Sequence, residues 1–196
     1  NAQRNRPLVG GDALWSHRGG RAEVQAGSTW IRIDQDTSLE LMQLDDRMLQ
    51  VEVAEGSVNV RVRRLYPGQR VEIDTPNLAF VIDRPGNFRL DIDREGDNTT
   101  IEARQGGGRV YGVGGRFDVH NGDVVVFYGE DVRDYEMYAF PAQDGFDRYA
   151  RIRDQRIDHS QSLRYLGDDL VGAGEQDRGV TDVLAGARAL GAHPGH

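Results

Sequence analysis

The chain has 196 residues, 29% of them charged, a formal net charge of −8 and no cysteine. That length allows one domain with its own core plus appendages; the missing cysteine excludes disulfide scaffolds, cysteine nucleophiles and thiolate-built zinc sites. All 24 basic residues are arginine, which excludes a Schiff-base lysine and a Walker-type phosphate lysine, and the acidic balance disfavours nucleic acid and anionic lipid as partners.

Residues 1–20 read as an entry segment. From about Arg21 to Tyr128 the apolar residues recur with period two. Ile31 and Ile33 alternate with polar residues, as do Leu39 and Leu41, Val51 and Val53, and Val58, Val60 and Val62. Val71 and Ile73 follow, then Phe88, Leu90 and Ile92, Ile101 and Ala103, Phe117 and Val119, and Val124 and Val126. Strict alternation places each set on one face of a half-buried strand. The opposite faces carry Glu40, Glu52, Arg61, Arg63, Glu72, Arg89 and Glu102, and are expected to face solvent. Leu78 to Ile82 is apolar nearly throughout and predicts a central strand covered on both faces.

Turn signals separate these runs: Gly27, Glu55-Gly56, Pro67-Gly68, Pro85-Gly86, Glu95-Gly96-Asp97, Gly106 to Gly108, Gly114-Gly115 and Asn121-Gly122. Short strands at such spacing predict an all-β fold, a sandwich or rolled sheet of about 10–12 strands. Trp30 to Asp34 with Leu39 and Leu41 returns as Ala79 to Asp83 with Phe88 and Leu90. Val51-Glu52-Val53 with Gly56 returns as Ile101-Glu102-Ala103 with Gly106. The offset of roughly 50 residues predicts a pseudo-duplicated β-domain over residues 21–129.

Residues 130–143 read as a linker. After Pro141 the period lengthens: Phe146, Tyr149 and Ile152 predict one amphipathic helix over 144–160, with Asp144 as cap. The Gly- and Ala-rich stretch 161–196 reads as a loose tail, with a short helix from Val180 to Leu190 as one option. No run reaches the roughly 18–20 apolar residues of a membrane span.

The segment Val71 to Asp91, with Thr75-Pro76 and Pro85-Gly86 at its turns, resembles the centre of a FecR domain. Leu49 to Val62 around Glu55-Gly56-Ser57 resembles that family's hairpin, and Thr99 to Val126 its closing strands. Residues 7–18, Leu65 to Gly68, Phe146 to Tyr149 and Arg153 to Arg156 resemble a secreted or periplasmic subgroup of uncharacterised role; Ser160, Ser162, Arg164 and Tyr165 extend the likeness, which ends beyond Ala173. The resemblance implies a periplasmic or secreted protein, its signal peptide removed. The expected function is a non-catalytic recognition or signalling module binding an envelope protein, with strand addition to an open sheet edge as the expected mode.

Several motifs approach patterns that carry chemistry. Asp91, Asp93, Glu95, Gly96 and Glu102 approach the spacing of a calcium loop, but their flanks read as strands, so a hairpin turn is expected. Gln105 to Gly115 lacks the register and following helix of a phosphate cradle. His17, His120, His159, His193 and His196 have no metal-binding spacing, and no Gly-x-Ser-x-Gly elbow occurs. Asp34 with Asp36 and Asp45 with Asp46 read as turn carboxylates, and Arg148, Arg151, Arg153 and Arg156 as partners of Asp147, Asp154 and Asp158. No catalytic, cofactor or metal residue is assigned. The rival reading is a carbohydrate- or peptidoglycan-binding module using Trp15, Trp30, Tyr66, Tyr111 and Tyr128; a hydrolase would need paired carboxylates or histidines in a cleft.

Overall fold

The computed structural model describes residues 7–168 and 183–186. Among the described residues twelve strands form one sheet and one helix follows the eleventh strand, so the chain is all-β with one helix toward its C-terminal end. The strands are β1 (Ala13–Ser16), β2 (Arg21–Ala26), β3 (Thr29–Ile33), β4 (Thr37–Leu44), β5 (Met48–Val62) and β6 (Arg70–Asp74). Then come β7 (Ala79–Ile92), β8 (Asn98–Gly112), β9 (Gly115–Val119), β10 (Val124–Tyr128), β11 (Tyr135–Met137), helix α1 (Gly145–Asp168) and β12 (Val183–Gly186).

Three strands are long and bent, where the sequence predicted short ones. β5, β7 and β8 run through Gly56, Pro85-Gly86 and Gly106 to Gly108 without ending. These turn signals mark bends inside strands because the neighbouring strands bend with them and pairing resumes beyond. Beyond its bend β5 pairs β3 and β7; before it, β4 and β6. One stretch of the sheet therefore runs β2, β3, the second half of β5, the second half of β7, the first half of β8, β10 and β11. The other runs β1, β4, the first half of β5, β6, the first half of β7, the second half of β8 and β9. All pairs are antiparallel except β5 with β6. The apolar sides of both stretches enter one core, where Phe80 meets Phe88 edge-to-face at 5.4 Å.

The internal repeat is written in the pairing itself. Ala22↔Ile33 recurs as Val71↔Ile82, and Leu39↔Val53 recurs as Phe88↔Ala103. β2, β3 and β4 thus return 49 positions later (Leu39 to Phe88), and β5 returns as β8 50 later (Val53 to Ala103). Gly56 and Gly106 hold the matching bends at φ 98° and 88°. Phe80, Val81 and Ile82 are all buried, as the apolar run predicted for a strand covered on both faces.

Three local readings change. At β10 the core residues are Val125 and Phe127, not Val124 and Val126. A Val-Val-Val-Phe-Tyr run has no polar phase of its own, so the register comes from pairing Val125 with Ile101. Glu102 and Glu72 are buried rather than solvated, each held by an arginine: Arg104 at 2.7 Å and Arg70 at 2.6 Å. The predicted linker contains β11, which pairs with β10.

The helix starts where Asp144 predicted. Its carboxylate accepts the Phe146 and Asp147 amides at 2.8 Å, and Asp147 reaches back to the Asp144 amide at 3.0 Å. The helix continues to Asp168, past the predicted end. Its buried face carries Phe146 and Ala150 at i, i+4, whereas Ile152 is exposed. Val183 to Gly186 is strand, not helix, and pairs with β2. The rest of the predicted tail beyond Asp168 lies outside the described residues.

Candidate functional site

β11 is an end of the sheet: among the described residues its strand neighbour is β10, paired Val125↔Met137, Val126↔Glu136 and Phe127↔Tyr135. All three β11 residues are exposed. Tyr135 and Met137 stand on the side of Phe127 and Val125 and carry the apolar inner face out to the open edge. Phe117 of β9 closes against this edge, with its ring 5.4 Å from Phe127 and 4.5 Å from Tyr135. Tyr138 and Phe140, just beyond the strand, are also exposed.

The other side of the edge is polar. The Glu136 carboxylate accepts hydrogen bonds from the Tyr138 hydroxyl and, at 3.3 Å, from the Tyr128 hydroxyl. The Glu136 bond, with the Tyr128 contact behind it, pushes the Tyr138 phenol above its ordinary value, so it remains a donor throughout the neutral range. The turn between β10 and β11 carries Asp131, whose carboxyl is lowered to about 2 by the Arg133 guanidinium and amide.

A concavity of about 270 Å³ opens at the Gly56 bend and is lined by residues that include Asp34, Asp36, Glu55, Ser57 and Arg94. Asp36 sits at φ 53°, a left-handed conformation that Asp tolerates in a turn. Asp34 pairs with Arg21 at 2.6 Å and Glu55 lies 3.8 Å from Arg94. Counter-charged carboxylates of this kind suit structure more than proton transfer.

The calcium-like motif resolves into the β7–β8 hairpin. Asp93 accepts the Asn98 amide and side chain at 3.1 and 2.6 Å, Asp91 binds Arg89, and Glu102 binds Arg104. Among the described residues no group of three His, Asp or Glu is placed to hold a metal ion. Calcium titration is expected to give no binding heat and no change in melting temperature. A stabilisation of several degrees at millimolar calcium would contradict that assignment.

The remaining candidates do not converge. Gly106 to Gly108 form the β8 bend and Gly112 and Gly115 the β8–β9 hairpin. His17 stacks edge-on to Trp15 at 4.1 Å, His120 sits 3.6 Å from Asp123, and His159 is an exposed helix residue. His193 and His196 lie outside the described residues. Asp45 caps its own turn through the Arg47 and Met48 amides. Trp15, Trp30, Tyr111 and Tyr128 stand on β1, β3, β8 and β10, and Tyr66 in the β5–β6 loop; Trp30 is buried. The sequence named Tyr128 but missed Tyr135, Met137 and Tyr138. The clue to them was aromatic density in a supposed linker.

No described helix is long and apolar enough to cross a membrane. No family model and no curated protein matches the chain. Two crystal structures of a "putative anti-sigma factor" from Parabacteroides distasonis ATCC 8503, at 2.50 and 1.65 Å resolution, are similar in fold, each with a TM-score of 0.56. They are 15% and 14% identical to this chain, and each match covers 67% of this chain and 61% of the other.

Proposed function

We propose that this chain is a non-catalytic recognition module of the bacterial envelope, periplasmic or secreted, that binds another protein by taking an extended segment onto the β11 edge. The observation that carries this is the edge itself, a wholly exposed end strand bearing Tyr135 and Met137. Exposed edges are normally blunted by charge, proline or cover, and an apolar one invites pairing. The FecR-like strand and turn pattern and the fold shared with the two anti-sigma-factor structures support a regulatory or signalling role. The arginine-paired carboxylates around the Gly56 cleft support a non-catalytic one. The glycan-binding alternative is weakened by the spread of its five aromatics over separate elements.

A photo-crosslinking residue at Tyr135 is expected to trap one discrete envelope protein in cells, whereas the same residue at Glu40 on β4 traps none. Adding Met137→Pro should abolish the product. Equal products from both positions, or none from Tyr135, would overturn the reading.

A further inference from the structure

Resting on that edge reading, we propose that β11 selects a partner segment of apolar–basic–apolar pattern, whose arginine or lysine seats on Glu136 beside Tyr128 and Tyr138. The backbone fixes the geometry. Tyr138 donates its amide to Val124 at 2.9 Å, and Tyr128 donates its amide to Asp134 at 2.9 Å. Positions 134, 136 and 138 therefore bond inward, toward β10. In an antiparallel ladder inward and outward bonding alternate, so the N–H and C=O groups of Tyr135 and Met137 face the open side. A strand added antiparallel there makes its backbone bonds at Tyr135 and Met137. Its middle residue then lies opposite Glu136 in a non-hydrogen-bonded pair, where the Cα atoms approach to ~4.5 Å and side chains meet most closely.

The chemistry at that position is cationic. Glu136 shares its face with Tyr128 and Tyr138, whose hydroxyls converge on one carboxylate oxygen, and with Asp134 two residues earlier. Two phenol rings and a carboxylate suit a guanidinium or ammonium group, which the ring faces also attract. The residues flanking that cation fall on the other face, beside Tyr135 and Met137, and are apolar for the same reason the core is. A second copy of this chain is a poor occupant. An antiparallel β11 pair centred on Glu136 sets the two carboxylates directly opposite each other, and like charges there are repelled.

The test uses blocked pentapeptides Thr-Val-Arg-Val-Thr, Thr-Val-Gln-Val-Thr and Thr-Val-Glu-Val-Thr, titrated into the isotope-labelled full chain and followed at the Tyr135 and Met137 amides. The Arg peptide is expected to bind about fivefold tighter than the Gln peptide, and the Glu peptide weakest. Glu136→Gln should erase that order and Glu136→Arg should invert it. Met137→Pro, which removes an outward amide and leaves the β10 ladder intact, should abolish binding of all three. Equal affinities for the three peptides, lost in Met137→Pro, would overturn the basic pattern and leave the edge reading standing. Binding indifferent to Met137→Pro, or no shift at either amide with millimolar peptide, would overturn both.

Discussion

Gly86→Ala is expected to destabilise the protein by about 3 kcal/mol or more, a fall in melting temperature of roughly 6–12 °C. The cause is the close approach of two adjacent bent strands. A Cβ on Gly86 would lie 1.9 Å from the Gln105 carbonyl oxygen and 2.8 Å from the Gly106 Cα. From the other side, a Cβ on Gly106 would lie 2.5 Å from the Pro85 carbonyl oxygen. These neighbours are backbone, so no flexible side chain can swing away. Gly86 does not have a positive φ, so the loss comes from close approach alone. Gly27→Ala is the matched control: Gly27 has φ 56° and nothing within 4 Å of the added Cβ, so only the left-handed strain of about 1 kcal/mol applies. Urea unfolding of both variants decides the point. Equal losses would mean that the β7 and β8 backbones do not pack this closely at the bend. This close approach also matters for the edge, because β8 supports β10 and β10 supports β11.

Alternation and turn residues made much of this fold legible. The repeat could be read as two similar strings, and the structure turns the same strings into matching pairs such as Leu41↔Val51 and Leu90↔Ile101. What was hidden has three physical causes. A glycine bend and a glycine turn look alike in sequence, because what separates them is whether the neighbouring strand bends too. The β10 run is apolar on both sides, so its phase is set by β8 rather than by its own residues. The candidate site was hidden most. β11 is three residues long, and Tyr-Glu-Met is too short for any period to show. The edge exists only because β10 lies beside it. An open sheet edge could be expected in advance; which strand forms it could not.

The polar faces went unread for another reason: alternation says which residues avoid the core, not whether water reaches them. Arg32 is fully buried and Glu23 is 2% exposed. They pair at 2.7 Å, and Arg32 also donates to the Asn59 side chain at 3.0 Å. Cross-strand pairing sets these residues in one row, Glu23↔Arg32↔Asn59↔Arg89↔Glu102, so charges of opposite sign can be matched as the strands come together. Arg32→Met is therefore expected to cost about 3–5 kcal/mol, the loss typical when one member of a buried pair is removed and the other stays charged. Adding Glu23→Leu should recover most of it, since the buried carboxylate that faced Arg32 then goes too. The two substitutions should be strongly non-additive in a double-mutant cycle. The sign of the pH dependence gives a second check. In Arg32→Met the Glu23 carboxyl loses the guanidinium that favours its charged form, so its pKa in the folded state rises relative to the parent's. The destabilisation is then fully present above the folded pKa and shrinks as pH falls, because folding takes up a proton. Unfolding free energies of the single variant should converge on the parent's as pH falls from 7 toward 5. A constant gap across that range, with additive effects in the cycle, would mean that Arg32 contributes packing and not charge pairing to the row.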